Sequence, residues 1–111
     1  VRFLFVCAGK VVRSPAAQAV MREIGGGMRA TRSAGIAPFC LRPVSAEDLQ
    51  WADVVAVMEP DHQRFIALRW PEVAPKVRVL HVEARYHRHD PALAIVLEAR
   101  LWDLPQELRV V

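Results

Sequence analysis

Cysteine is scarce in this chain. There are two in 111 residues, Cys7 and Cys40, and neither has a partner at metal-ligand spacing. That excludes a disulfide-stapled scaffold and a cysteine-built metal module, and it points to a reducing compartment. Long apolar runs are missing too, so no segment reads as a membrane span. No signal-peptide pattern stands before the first apolar run, and the expectation is a cytoplasmic protein. Internal repeats and low-complexity linkers are lacking. Charge of one sign is barely in excess, with 15 basic and 12 acidic residues and a net charge of +3. No basic stripe is interleaved with aromatics, so nucleic acid is not an expected partner, whereas a small anion is. What is present is a composition 53% apolar and 24% charged, which fits one globular domain over residues 1–111 with a single core.

Strand-like and helix-like patterns alternate along the chain. Residues 1–6 (VRFLFV) form a short apolar run, the pattern of a strand buried on both faces. Residues 14–24 carry Ala17, Val20, Met21 and Ile24 on one helical face, and Gly25-Gly26-Gly27 ends that run. A short strand is expected over 29–33. A helix capped by Ser45 follows, then a buried strand over 53–58 (DVVAVM), a helix over 61–70 and a fourth strand over 77–82 (VRVLHV). A last helix is expected over 90–101, with Asp90 as its N-cap and Pro91 at its first position. The expected fold is α/β: a three-layer sandwich with a four-stranded parallel sheet, helices on both faces and a phosphate loop after strand 1. Ligands in such sheets bind at the carboxyl ends of the strands.

The stretch CAGKVVRS, residues 7–14, falls at that edge. A strand-to-helix turn can fold its amides inward as an anion nest. Gly9 lets the chain take positive φ where that wrap needs it. The helix starting near Ser14 adds unsatisfied N–H groups and the positive end of its dipole. Arg13 adds a planar fork of donors that suits two oxyanion oxygens. The same positive field favours a charged sulfur nucleophile at Cys7. A lone cysteine after a strand is more often a small buried hydrophobe. Here the glycine, the arginine, the serine and the proline-started helix converge on a phosphate cradle with a nucleophile at its floor. Ala8, Gly9, Lys10, Val11, Val12, Arg13 and Ser14 would form its wall.

The opening FLFVCAGKVVRSPAAQAV resembles the low-molecular-weight protein tyrosine phosphatases. RSAG at residues 32–35 and ADVVAVMEPDHQRFI at 52–66 are similar to that family's second and third strand regions. The likeness covers about residues 1–101 and is greatest to a compact bacterial branch. It implies that Cys7 is the nucleophile, Arg13 the phosphate-binding arginine and Ser14 a hydrogen-bond donor to the sulfur, with Ser33 and His62 steadying the loop. It implies no cofactor and no metal.

Three departures from the family stand out. Lys10 occupies a place where the family usually has asparagine. Val11 and Val12 stand where a second loop cysteine is common. The family's general-acid aspartate is expected near Ala84 or Arg85, and neither donates a proton at neutral pH. Glu83 and Asp90 are the carboxyls at hand; Asp90 is the candidate acid, although Asp-Pro before an apolar run is also a helix cap. Tyr86 is a candidate wall of the substrate slot. His87 and His89 suggest a metal weakly and a solvated loop more strongly.

The expected function is a cysteine-dependent phosphomonoesterase for phosphotyrosine-like aryl phosphates, working through a phosphocysteine. Its partners would be a phosphorylated protein or small aryl phosphate, with inorganic phosphate or sulfate in the loop. A binding module that has lost turnover is the alternative. A thiol-dependent arsenate reductase ranks last, because it needs downstream cysteines and only Cys40 follows.

Overall fold

A computed structural model of the chain describes residues 2–9, 13–25, 30–37, 40, 42–86 and 90–104. Four strands form one sheet: β1 (Arg2–Cys7), β2 (Ala30–Gly35), β3 (Val54–Val57) and β4 (Val77–Val79). Their spatial order is β2-β1-β3-β4, and all three pairings are parallel. The helices are α1 (Arg13–Gly25), α2 (Ala46–Trp51), α3 (Pro60–Arg69) and α4 (Pro91–Trp102), with a 3₁₀ helix over Pro71–Lys76.

The central strand β1 explains the layering. Phe3 to Cys7 are all buried, so both faces of the strand need cover. Phe3, Phe5 and Cys7 point to the side of α1 and α4, where they join Met21, Leu93, Leu97 and Leu101. Leu4 and Val6 point the other way, to α2 and α3, where Leu49 and Ile66 close the second layer. Side chains alternate across a strand, so one apolar run feeds two cores. This is the three-layer α/β arrangement expected from the sequence.

Element ends follow local chemistry. Ser45 caps α2, its hydroxyl accepting from the Asp48 N–H at 3.2 Å. Pro60 opens α3 and Pro71 stops it, since proline suits a first turn and restricts the residue before it. The 3₁₀ helix was not expected; Pro71 and Pro75 produce it in place of a plain loop. β3 is shorter than expected at both ends. At its start the Asp53 side chain accepts instead from the Arg2 N–H at 2.8 Å.

β4 also ends early, at Val79 and not Val82. The cause is His81, whose φ of 57° is left-handed. The chain turns there, yet the Leu80 and Val82 N–H groups still reach the Val57 and Met58 carbonyls at 2.8 Å each. Beyond the turn the Val82 carbonyl meets Arg13 at the carboxyl edge of the sheet. An L residue in that region costs roughly 1–2 kcal/mol relative to the right-handed one. His81 already bears that cost, so His81→Gly should be neutral or stabilising, while His81→Val should lower stability further, because a β-branched residue fits this region worse than histidine. Urea unfolding of the two variants checks this; equal losses would show that the turn exacts no backbone cost.

Candidate functional site

The strand order reverses at β1: β2 lies on one side and β3 on the other. The crevice at the carboxyl end of β1 is therefore where such a sheet receives a ligand. Cys7 is the last residue of β1 and is buried. Its register partner is Gly35, the end of β2. The ladder continues beyond the strands: the Ile36 N–H donates to the Cys7 carbonyl at 2.9 Å and the Ala37 N–H to the Ala8 carbonyl at 2.8 Å. The start of the loop is thus fixed by ordinary sheet hydrogen bonds.

Two glycines make that closeness possible. A Cβ on Gly9 would stand 2.9 Å from the Ala37 Cβ. A Cβ on Gly35 would stand 2.7 Å from the Cys40 Sγ and 3.2 Å from the Gly9 Cα. Gly9 therefore serves close backbone approach, and not the positive φ expected from the sequence, since its φ lies outside the left-handed region. Cys40 is half-buried and packs on the residue paired with Cys7; both thiols are free. The segment carrying Cys40 is pinned by Asp48, a buried carboxylate on α2. It accepts from Arg32 at 3.2 Å, Arg42 at 3.0 Å and the Ser45 hydroxyl at 3.1 Å.

Arg13 is the first residue of α1, and only 5% of it is exposed. Its Nη1 donates to Glu59 Oε2 at 2.8 Å and to the Val82 carbonyl at 2.7 Å. Glu59 is the N-cap residue of α3, directly after Met58 at the end of β3. His62, buried two residues into that helix from Pro60, accepts from the Glu59 N–H through Nδ1 at 3.2 Å. Its Nε2 lies 3.6 Å from Glu59 Oε2. An accepting Nδ1 means the proton of the neutral ring is on Nε2, facing the carboxylate.

The structure thus brings Cys7, Gly9 and Arg13 to the carboxyl edge, with His62 joined to Arg13 through Glu59. Ser33 is half-buried on β2, opposite Phe5 and two residues before Gly35. Its neighbour two back, Thr31, bonds Gln18 of α1 at 3.0 Å, so Ser33 shares the α1 side of the sheet with Cys7. Lys10, Val11 and Val12 lie outside the described residues, as do His87, His89 and the side chain of Ser14. Among the described residues no cluster of His, Cys, Asp or Glu could hold a metal ion.

Asp90 is the N-cap of α4, half-buried, and its Oδ1 accepts from the Ala92 N–H at 2.9 Å. Ala84 and Arg85 form an exposed turn. Tyr86 is half-buried against the core on the α1 and α4 side. Arg85 lies 4.7 Å over its ring and donates to its hydroxyl at 3.0 Å. Glu59 and the Val82 carbonyl are the partners that sequence reasoning missed. One signal for Glu59 was present: a carboxylate closing the third strand, three residues before His62, as in a capping box.

Solved structures match this architecture across nearly the whole chain. YwlE from Bacillus subtilis is 25% identical, with a TM-score of 0.75 over 98% of this chain and 99% of that one. The YwlE arginine phosphatase from Geobacillus stearothermophilus is 22% identical, with a TM-score of 0.75 over 97% and 92%. A low-molecular-weight protein tyrosine phosphatase from Streptococcus pyogenes is 16% identical, with a TM-score of 0.80 over 96% and 92%. The tyrosine phosphatase Wzb from Escherichia coli K30, in complex with phosphate, is 20% identical, with a TM-score of 0.75 over 96% and 97%. This is the low-molecular-weight protein tyrosine phosphatase fold. No family model and no curated protein matches the sequence.

Burial holds the His62 pKa below the usual histidine value, and the Arg13 charge lowers it further; Glu59 and Asp61 oppose both. The unfolded chain then takes up this proton at a higher pH than the folded one does. Stability is unaffected well above pH ~6.5 and falls as the pH drops through and below it. Denaturant unfolding at pH 7.5 and 5.5 should show that loss, and His62→Gln should flatten it. An unchanged slope in the variant would remove His62 as its source.

Proposed function

We propose that this protein is a cysteine-dependent phosphatase of phosphorylated proteins or small aryl phosphates. One observation carries the reading: a buried arginine at the head of α1, bound to Glu59 and the Val82 carbonyl at the carboxyl edge of the sheet whose central strand ends at Cys7. A guanidinium is taken out of water at such a cost that its remaining donors favour an anion. The α1 N-terminus adds further positive potential.

In this reading phosphate lies in the loop of residues 8–14. The Cys7 sulfur attacks phosphorus, the bond to the leaving oxygen breaks, and a phosphocysteine forms. Arg13 and the loop amides stabilise the equatorial oxygens as charge builds. Ser14 would donate its hydroxyl to the sulfur. The leaving oxygen takes a proton from Asp90, which then accepts one from the water that hydrolyses the phosphocysteine. Asp90 caps α4 with Oδ1, which leaves Oδ2 to carry that proton. Tyr86 would wall the slot and face an aromatic leaving group. The chemistry invokes no metal, since the loop and Arg13 supply the positive charge. Support for a phosphoenzyme comes from YwlE, where a cysteine-to-serine mutant holds a phosphorylated active-site serine. Wzb holds phosphate or sulphate, which supports the same anions here. The two free thiols fit a cytoplasmic setting.

A second reading is a phosphate-binding module without turnover. It rests on Asp90 acting as a cap and on Ala84 and Arg85 being exposed and unable to serve as acids. The YwlE matches also make phosphoarginine a substrate to include in the assay.

Cys7→Ser should abolish turnover of an aryl phosphate while inorganic phosphate still binds. Asp90→Asn should keep the cap, because asparagine caps about as well as aspartate. It should cut the rate on poor leaving groups by roughly 10²–10⁴, and much less on activated ones. No wild-type turnover would leave the binding module, and turnover indifferent to Cys7 would refute the cysteine-dependent mechanism. A rate unaltered by Asp90→Asn would make Asp90 a cap alone.

A further inference from the structure

We propose that Glu59 is a positioning residue for Arg13: together with the Val82 carbonyl it occupies one nitrogen of the guanidinium and fixes which edge of the fork faces the loop. The inference deepens the phosphatase reading above and rests on it for its catalytic consequences.

Both recorded bonds of the guanidinium converge on a single atom. Nη1 meets Glu59 Oε2 at 2.8 Å and the Val82 carbonyl at 2.7 Å. The donors of Nη2 and Nε lie in the same plane, at fixed angles to that atom. Holding Nη1 from two directions therefore fixes the orientation of the other edge, the one suited to a bidentate oxyanion. Glu59 is itself held. It stands at the junction of β3 and α3, its backbone N–H is bound by His62, and its carboxylate faces the His62 Nε2. The second holder, Val82, is anchored by its own N–H to the Met58 carbonyl, one residue before Glu59. The two acceptors thus come from adjacent points of one ladder, and the arginine is clamped to the sheet edge, not left to sample the slot.

Two roles for Glu59 make different demands on its chemistry. A merely neutralising partner needs the charge and tolerates some loss of reach. A positioning partner needs an acceptor at the right place and tolerates loss of the charge. Gln keeps the length and an acceptor oxygen but no charge. Asp keeps the charge but is one methylene short of a 2.8 Å contact. Ala keeps neither.

The experiment measures kcat and KM for an aryl phosphate, and the dissociation constant of inorganic phosphate, in wild type, Glu59→Gln, Glu59→Asp and Glu59→Ala. Each rate is referred to the folded fraction. Positioning predicts that Gln stays within a few-fold of wild type. It predicts that Asp and Ala both lose kcat, toward the ~10²-fold typical of a displaced catalytic group. KM should change less than kcat, because the oriented fork matters most in the transition state. Asp near wild type with Gln near Ala would overturn the proposal in favour of charge neutralisation. Equal rates per folded molecule in all four would overturn it in favour of a structural ion pair.

A second readout does not depend on turnover. With Nη1 clamped, the Arg13 side-chain N–H resonances should be sharp and slowly exchanging in wild type and Gln, and broadened in Asp and Ala. Unaltered resonances in Ala would sink the proposal even if the enzyme is active. Sharp wild-type resonances lost in Ala, in a protein with no turnover, would uphold the clamp and refute the phosphatase reading alone.

Discussion

The ion pair between Arg13 and Glu59 is the constraint on which the carboxyl edge depends. A guanidinium that is 5% exposed has lost most of its hydration, at a cost of several kcal/mol. That cost is bearable only if its donors are bound. The structure meets it with one carboxylate and one carbonyl on the same nitrogen. These bonds join the start of α1, the β3–α3 junction and the segment after β4, three places far apart in sequence. Glu59 keeps 40% of its side-chain exposure, so the pair is not sealed, and its net contribution to stability is smaller than that of a fully buried one.

The topology explains why these segments meet. With β1 central and the order reversing at it, the ends of β1 and β3 are neighbours, and whatever follows them shares one rim. Gly9 and Gly35 then let the loop after β1 and the turn after β2 approach within a distance that side chains would forbid. On the far side, the left-handed turn at His81 bends the chain so that Val82 offers its carbonyl to Arg13. Each contribution is local, and the sheet brings them together.

Much of this was legible in the sequence because period and punctuation report burial. The run VRFLFV, the capped helices and the proline-started α4 gave the layers in order, and cysteine, glycine and arginine at fixed spacing marked the edge. Residues 80–86 were harder. VRVLHV has an unbroken strand pattern, and nothing in it announces that His81 takes a left-handed conformation. Glu59 was harder for another reason: a carboxylate after a strand reads as a solvated loop residue until the sheet order places a buried cation opposite it. Asp90 carried both of its readings in the sequence, cap and acid. The structure realises the cap.

The same ion pair constrains where the positive charge of the site comes from. Arg13 and Glu59 together are formally neutral. His62, with its proton affinity lowered by burial and by Arg13, adds no charge at neutral pH. In the proposed function a dianion at this edge is therefore held less by the net charge of these side chains than by directed donors: the other edge of the guanidinium and the first amides of α1. Donors of that kind need no reorganisation as charge moves onto the equatorial oxygens, so they act on a transition state at least as strongly as on a resting anion. A lone mobile arginine would bind phosphate more indiscriminately and would have to be ordered at each turnover. Clamping it against a carboxylate gives up some Coulombic attraction for the ground state and retains direction, which is the property that distinguishes catalysis from simple anion capture.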